Sequence, residues 1–257
     1  MTRSEVKKIA LVAKRKQELC SGQPTRYITR SAVAGFYIFV GTLISNLSAA
    51  WFHLDQPGVA KLLASFTFAT ALILIVLLGS ELFTGSNLVM GVGLYEGTVT
   101  PKQAIRLWVT CWLGNLGGIL LLALIFVGSG ASRDLMSSYL ALTVPAKFGA
   151  AWYQLILKGA MCNFCVCLGV LAGLKMKSES GKILVIFLVI AAFILSGFEH
   201  SIANMATFSL YALLVDASQA TMMSILHSML WVTIGNLLGG AVLLGLPVWY
   251  MAEPDPN

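Results

Sequence analysis

The chain reads as an all-α membrane protein with six transmembrane spans, an inverted 3+3 repeat whose second and fifth spans are broken. Three observations predict this: a composition starved of charge, six apolar blocks of bilayer length, and matching motifs in the two halves. Of 257 residues, 58% are hydrophobic and 11% charged, whereas soluble domains carry about 25% charged residues. Mean hydropathy is +0.83.

The first 26 residues are polar and basic, with no apolar stretch and no cleavage site, so they predict a short helix at the membrane surface and no signal peptide. The apolar blocks follow at about 27–50, 62–95, 104–128, 150–174, 182–214 and 223–250, each meeting the roughly 20 residues that a span requires. The second and fifth are too long for one ordinary span. The net charge of +6 admits nucleic acid as a partner, but its placement argues against one. Eight basic residues precede the bulk of the first block, from Arg3 to Arg30. Lys102 and Arg106 lie between blocks two and three, and Lys175, Lys177 and Lys182 between four and five. The opposite side has only Lys61, Arg133, Lys147 and Lys158. The positive-inside rule then puts both termini in the cytoplasm, and the lipid bilayer, not nucleic acid, explains the basicity.

The halves match in order. RSAVAGFYIFVGTL (Arg30–Leu43) aligns with KGAMCNFCVCLGVL (Lys158–Leu171), GSELFTG from Gly79 with GFEHSIA from Gly197, and GNLGG (Gly114–Gly118) with GNLLGG (Gly235–Gly240). Three spans per half is an odd number, so the second half must enter from the opposite face. The small residues of the third pair predict close helix packing, with Asn115 and Asn236 bonded to backbone.

The breaks fall at Gly79–Asn87 and Ser196–Asn204. Unpaired backbone inside hydrocarbon survives only where it is buried in protein or lines a cavity, and two symmetric breaks mark a midplane pathway. Glu81 and Glu199 are equivalent; they read as support for the breaks, satisfying loose N–H groups or capping the second half-helix, or else as a proton or cation site. His200 has Leu82 as its counterpart. An ionisable side chain at such a break is a functional candidate, here a proton donor to a weak-acid anion. Thr84 and Asn163 could complete a polar island with it, surrounded by Leu72, Leu82, Phe83 and Phe193. The five cysteines, including Cys162 and Cys165 in C-x-x-C spacing, read as small buried hydrophobes, and no metal or cofactor is expected.

At GSELFTGSN (Gly79–Asn87), KGAMCNFCVCLG (Lys158–Gly169), SGFEHSIANM (Ser196–Met205) and WVTIGNLLGG (Trp231–Gly240) the chain resembles the formate–nitrite transporter family over about Arg26 to Tyr250. The resemblance implies an aquaporin-like protomer, assembled as a homopentamer with one pore per protomer. It implies a central site of His200, Thr84 and Asn163, a cytoplasmic-side constriction of Leu82 and Phe83, and an outer one of Phe68, Leu72 and Phe193. Lys147 matches a vestibule lysine that concentrates anions. The segment with Lys14, Arg15 and Lys16 matches a mobile cytoplasmic helix that gates the pore in response to pH. The short tail after Tyr250 resembles the nitrite and hydrosulfide branches. The division implied is a cytoplasmic amphipathic segment at 1–26, a channel domain at 27–250 and a short cytoplasmic tail at 251–257, in the inner membrane.

A bare anion in a low-dielectric constriction faces a penalty of order tens of kcal/mol. Either it crosses protonated, or fixed donors lower the barrier. The cargo expected is a small monovalent anion such as formate, nitrite or hydrosulfide. An aquaporin-like facilitator for water or glycerol is the alternative, but neither break carries the Asn-Pro-Ala motif of such channels. An intramembrane enzyme is disfavoured: there is no H-E-x-x-H, and adjacent Glu199 and His200 would point to different helix faces.

Overall fold

The computed structural model describes residues 1–255; Pro256 and Asn257 of the expected tail lie outside the described residues. The named elements are all helices. Helix α1 spans Arg3–Gly22, α2 Pro24–Ala50 and α3 Pro57–Leu78; after a short gap come α4, Phe83–Tyr95, and α5, Pro101–Ser129. A short α6 (Arg133–Thr143) and the single turn α7 (Pro145–Phe148) lead to α8, Trp152–Lys175. A second gap separates α9, Glu179–Leu195, from α10, Ser201–Leu214. Helix α11, Gln219–Leu237, continues through a π-helical stretch, Leu238–Leu244, into α12, Gly245–Tyr250.

Local sequence explains the starts. Proline sits in the first turn of α2, α3 and α5, where its missing N–H is no loss. Thr2 with Glu5 and Thr100 with Gln103 form capping boxes. Four helices, α2, α3, α5 and α8, together with the continuous run from α11 to α12, are long and apolar enough to cross a membrane. Helices α9 and α10, of 17 and 14 residues, fall short singly because the fifth block is divided. Each break carries a glycine with φ of +73° at or next to its first residue, Gly79 and Gly197, a backbone region that side-chain-bearing residues avoid.

The aligned motifs make the same contact in each half. A Cβ on Gly118 would lie 2.1 Å from the Ala32 carbonyl oxygen, and one on Gly239 would lie 2.1 Å from that of Ala160. Helices α2 and α5, and likewise α8 and α11, therefore touch backbone to backbone, as small residues permit. The second motif is one residue longer, GNLLGG against GNLGG. Gly118 and Gly239 each stand three residues after their asparagine, so these contacts match without an insertion, and the extra residue, Gly240, falls within the π-helical stretch.

Helix α1 packs on protein. Val6, Ile9, Ala10 and Ala13 lie on one face at helical spacing and are buried, against α4. Its first turn is clamped to the other end of the chain. The Arg3 N–H donates to the Glu253 carbonyl at 2.8 Å and the Glu253 N–H to that of Met1 at 3.0 Å. The Arg3 guanidinium pairs with Glu96 at 3.2 Å and lies 5.5 Å over the Trp249 ring, whose Nε1–H donates to Glu96 at 2.7 Å. Trp249→Leu deletes the ring and its donor together. Such a contact is worth about 1 kcal/mol, or roughly fivefold in an equilibrium. Limited trypsin cleavage within α1, read by mass spectrometry, should accelerate by about that factor.

Candidate functional site

Each break must satisfy backbone groups that no helix pairs, and an asparagine does most of this. Asn115 Nδ2 donates to the carbonyls of Ser31 (2.8 Å) and Glu81 (2.9 Å), while its Oδ1 accepts the Phe83 N–H (3.0 Å) that opens α4. Asn236 Nδ2 donates to Gly159 (2.8 Å) and Glu199 (3.0 Å), while its Oδ1 accepts the Ser201 N–H (2.8 Å) that opens α10. The breaks are also tied down by Glu81 N–H to the Arg30 carbonyl (3.2 Å) and Glu199 N–H to that of Lys158 (3.3 Å). These are the two basic positions that the repeat places in register.

The glutamates are thereby free of the capping task expected of them. An amide both donates and accepts, whereas an ionised carboxylate only accepts; a break exposing one carbonyl and one N–H needs the amide. Glu81 instead pairs with Lys16, with Arg30 at 3.9 Å. Glu199 pairs with Lys147 at 2.6 Å and accepts from Asn204 Nδ2 at 2.8 Å. Each break thus holds one lysine beside it.

The breaks meet at a single hydrogen bond. His200, at the start of α10, accepts the Ala203 N–H on Nδ1 at 3.0 Å. The neutral ring therefore carries its proton on Nε2, and Nε2–H donates to Thr84 Oγ1, 2.9 Å away. That leaves the Thr84 hydroxyl proton to offer elsewhere. Both residues are buried. The Phe193 ring stacks on the imidazole, with centroids 6.1 Å apart and planes at 22°, and Phe68 stands edge-on at 6.3 Å.

Two cavities flank this pair. One, of about 440 Å³, opens beside α1 and is lined by Lys16, Arg30, Leu72, Glu81 and Leu82 among others. The other, of about 420 Å³, opens beside α6 and is lined by Phe68, Lys147, Phe193, His200 and Asn204 among others. One cavity is lined by Leu72, Ile75 and Val76 toward the end of α3 and the other by Pro57, Lys61 and Phe68 toward its start, with the polar pair and its aromatic collar at the latter's inner wall. A family model described as formate/nitrite transporter matches residues 4–250.

This chain belongs to the formate/nitrite transporter family.

It is 37% identical over 254 residues to the nitrite transporter NirC of Escherichia coli K12, covering 98% of this chain and 92% of that one. A solved structure described as an FNT family ion channel superposes with a TM-score of 0.88 at 34% identity, covering 97% and 99% of the two chains. A pentameric formate channel with formate bound gives 0.75 at 26% identity, over 88% and 96%.

Within this formate/nitrite transporter fold, the structure brings His200 and Thr84 into contact and leaves Asn163 outside it. Asn163 Nδ2 donates to the Asn236 carbonyl at 2.6 Å, tying α8 to α11 beside the π-helical stretch; it lines neither flanking cavity. Leu72, expected with Phe68 and Phe193 on the outer side, lines the α1-side cavity together with Leu82. It stands one helical turn past Phe68 on α3, which carries it to the other side of the pair. Phe83, like Thr84, is buried and lines neither cavity. Its backbone N–H is the group that Asn115 holds. Sequence reading missed two thiol donors. Cys111 Sγ–H donates to the Glu81 carbonyl at 3.3 Å and Cys167 Sγ–H to the Thr84 carbonyl at 3.5 Å. Nothing in the sequence separates these from the packing cysteines, because the distinction is which backbone oxygen each one faces.

Proposed function

We propose that the chain passes small monovalent anions across the cytoplasmic membrane through a pore in each protomer of a homopentamer. Nitrite leads as the cargo, on the strength of the near full-length match to a nitrite transporter; formate and hydrosulfide are the other candidates. The carrying observation is the His200–Thr84 hydrogen bond where the two breaks meet between the cavities. Six spans in an inverted 3+3 repeat account for the two asparagine-bonded breaks and the two matching glycine contacts. Residues 27–250 are read as the channel domain, with the 1–26 segment and the tail in the cytoplasm by the positive-inside rule. The pentamer is read from the solved formate channel.

The pair offers an anion one fixed donor, the threonine hydroxyl, whose oxygen is held by the His200 Nε2–H. Fixed donors lower the barrier without reorganising. Acting as a proton source instead would require a second proton on Nδ1, where the Ala203 N–H stands. Lys16 and Lys147, the gate and vestibule residues, reach the mouths already paired with Glu81 and Glu199. They favour an arriving anion locally rather than over long range. Leu72 and Leu82 on one side, and Phe68 and Phe193 on the other, form the collars that exclude hydrated ions.

The test is a flux panel on the full chain in proteoliposomes: nitrite, formate, hydrosulfide, chloride and, by light scattering, water, at two pH values with membrane potential monitored. Nitrite and formate flux well above chloride supports the reading. Fast water flux with no anion flux would establish the neutral-solute alternative instead.

A further inference from the structure

The α6-side cavity extends beyond the collar of Phe68 and Phe193, and its wall carries groups that the central pair does not use. Thr42 and Asn46, four residues apart on α2, both line it, as the helical repeat allows. Both carry a buried donor without a protein partner: Thr42 Oγ1 and Asn46 Nδ2. The neighbouring hydroxyls behave differently. Ser45 Oγ donates to the Ala64 carbonyl at 3.0 Å, and Ser48 Oγ donates to its own helix at 3.0 Å. A helical threonine ordinarily bonds back to the preceding turn, yet Thr42 does not. The seam between α2 and α3 satisfies its own polar groups, leaving two unpaired donors one turn apart on residues that line the cavity.

The charge around them is positive. Lys61, in the second turn of α3, lines the same cavity and forms no ion pair among the described residues. Lys147 is held by Glu199, and no carboxylate is among the residues lining the cavity. Buried unpaired donors are unfavourable, and a ligand bringing acceptor atoms and negative charge would relieve both conditions.

We infer that Thr42 and Asn46, with Lys61 supplying the charge, form a second anion site in the α6-side cavity, selective for small planar oxyanions. Two donors a helical turn apart suit a nitrite or a carboxylate, which presents two oxygens; a spherical halide can satisfy one donor well or both poorly. The site is a holding point outside the collar, where an oxyanion is recognised before it reaches His200. It rests on the pore reading above.

The experiment is the concentration dependence of nitrite flux in proteoliposomes of the full chain. The wild-type flux checks the pore reading by itself; if there is none, that reading fails first. Given wild-type flux, Thr42→Val combined with Asn46→Leu should raise the half-saturating nitrite concentration by about tenfold, with a smaller change in maximal rate. Thr42→Ser, which keeps the hydroxyl, should bring half-saturation back toward wild type when Asn46 is intact. Asn46→Asp, nearly the same shape, should weaken binding further by placing a carboxylate against the anion, which guards against a packing effect. Chloride competition should be unchanged across the series. Unmoved half-saturation in the double variant, a loss confined to maximal rate, or an Asn46→Asp channel saturating like wild type would each overturn the inference while leaving the pore reading intact.

Discussion

His200→Phe should lower nitrite flux by more than tenfold at every pH, while His200→Asn should recover part of it. The phenylalanine variant loses two bonds at once. The Nε2–H that meets Thr84 at 2.9 Å disappears, and so does the Nδ1 acceptor that caps the Ala203 N–H at 3.0 Å. Asparagine is among the best residues at a helix start, so it restores the cap and keeps an amide donor, although it cannot titrate. With the ring working as a fixed donor, the pH profile of the asparagine variant should parallel that of the wild type. A profile flattened by asparagine would mean instead that the ring itself takes up and gives back a proton in each cycle, with the Ala203 bond opening to admit it. Thr84→Val complements this: it removes the hydroxyl donor at nearly constant volume, and flux should fall without a change in the profile. Stopped-flow flux at several external pH values reads all three.

The largest structural effect belongs to an asparagine that lines no cavity. Asn236→Leu leaves the Glu199 carbonyl and the Ser201 N–H without the partner they have now, and it cuts the tie to the Gly159 carbonyl inside α8. Each buried orphan costs about 1–3 kcal/mol, so the variant should lose at least about 2 kcal/mol and melt at least about 4 °C lower in detergent. Asn115→Leu, with the same three bonds in the other half, should behave alike. Aspartate is no remedy, because it accepts from the N–H but cannot donate to two carbonyls. A leucine variant melting together with the wild type would show that the breaks are held by something other than these amides.

Much of this architecture is legible in the amino-acid order. The charge deficit and block lengths announce membrane helices, because hydrocarbon leaves the chain no other way to pair its backbone. The register of Arg30 with Lys158 and of Gly118 with Gly239 reappears as equivalent contacts in the structure. The positions of the breaks were also readable, since polar residues within an apolar block have few explanations. The assignment of tasks among those residues was not. Asn115 and Asn236 bond to backbone as their motifs suggest, but the backbone they hold is that of the breaks, a task for which glutamate looked the natural choice; the donors and acceptors needed are known only once the loop's carbonyls have directions. Asn163 and Phe83 likewise share motifs with His200 and Thr84 yet lie outside the hydrogen bond between that pair.

By itself the sequence determined that the chain spans a membrane, where its helices are interrupted and which residues stand in equivalent places, since these depend on composition and period alone. Which ring nitrogen bears the proton, which side of the central pair Leu72 faces and which hydroxyls of α2 stay unpaired were decided by tertiary structure. These properties belong to atoms from helices far apart in the chain, and only their packing sets the distances between them.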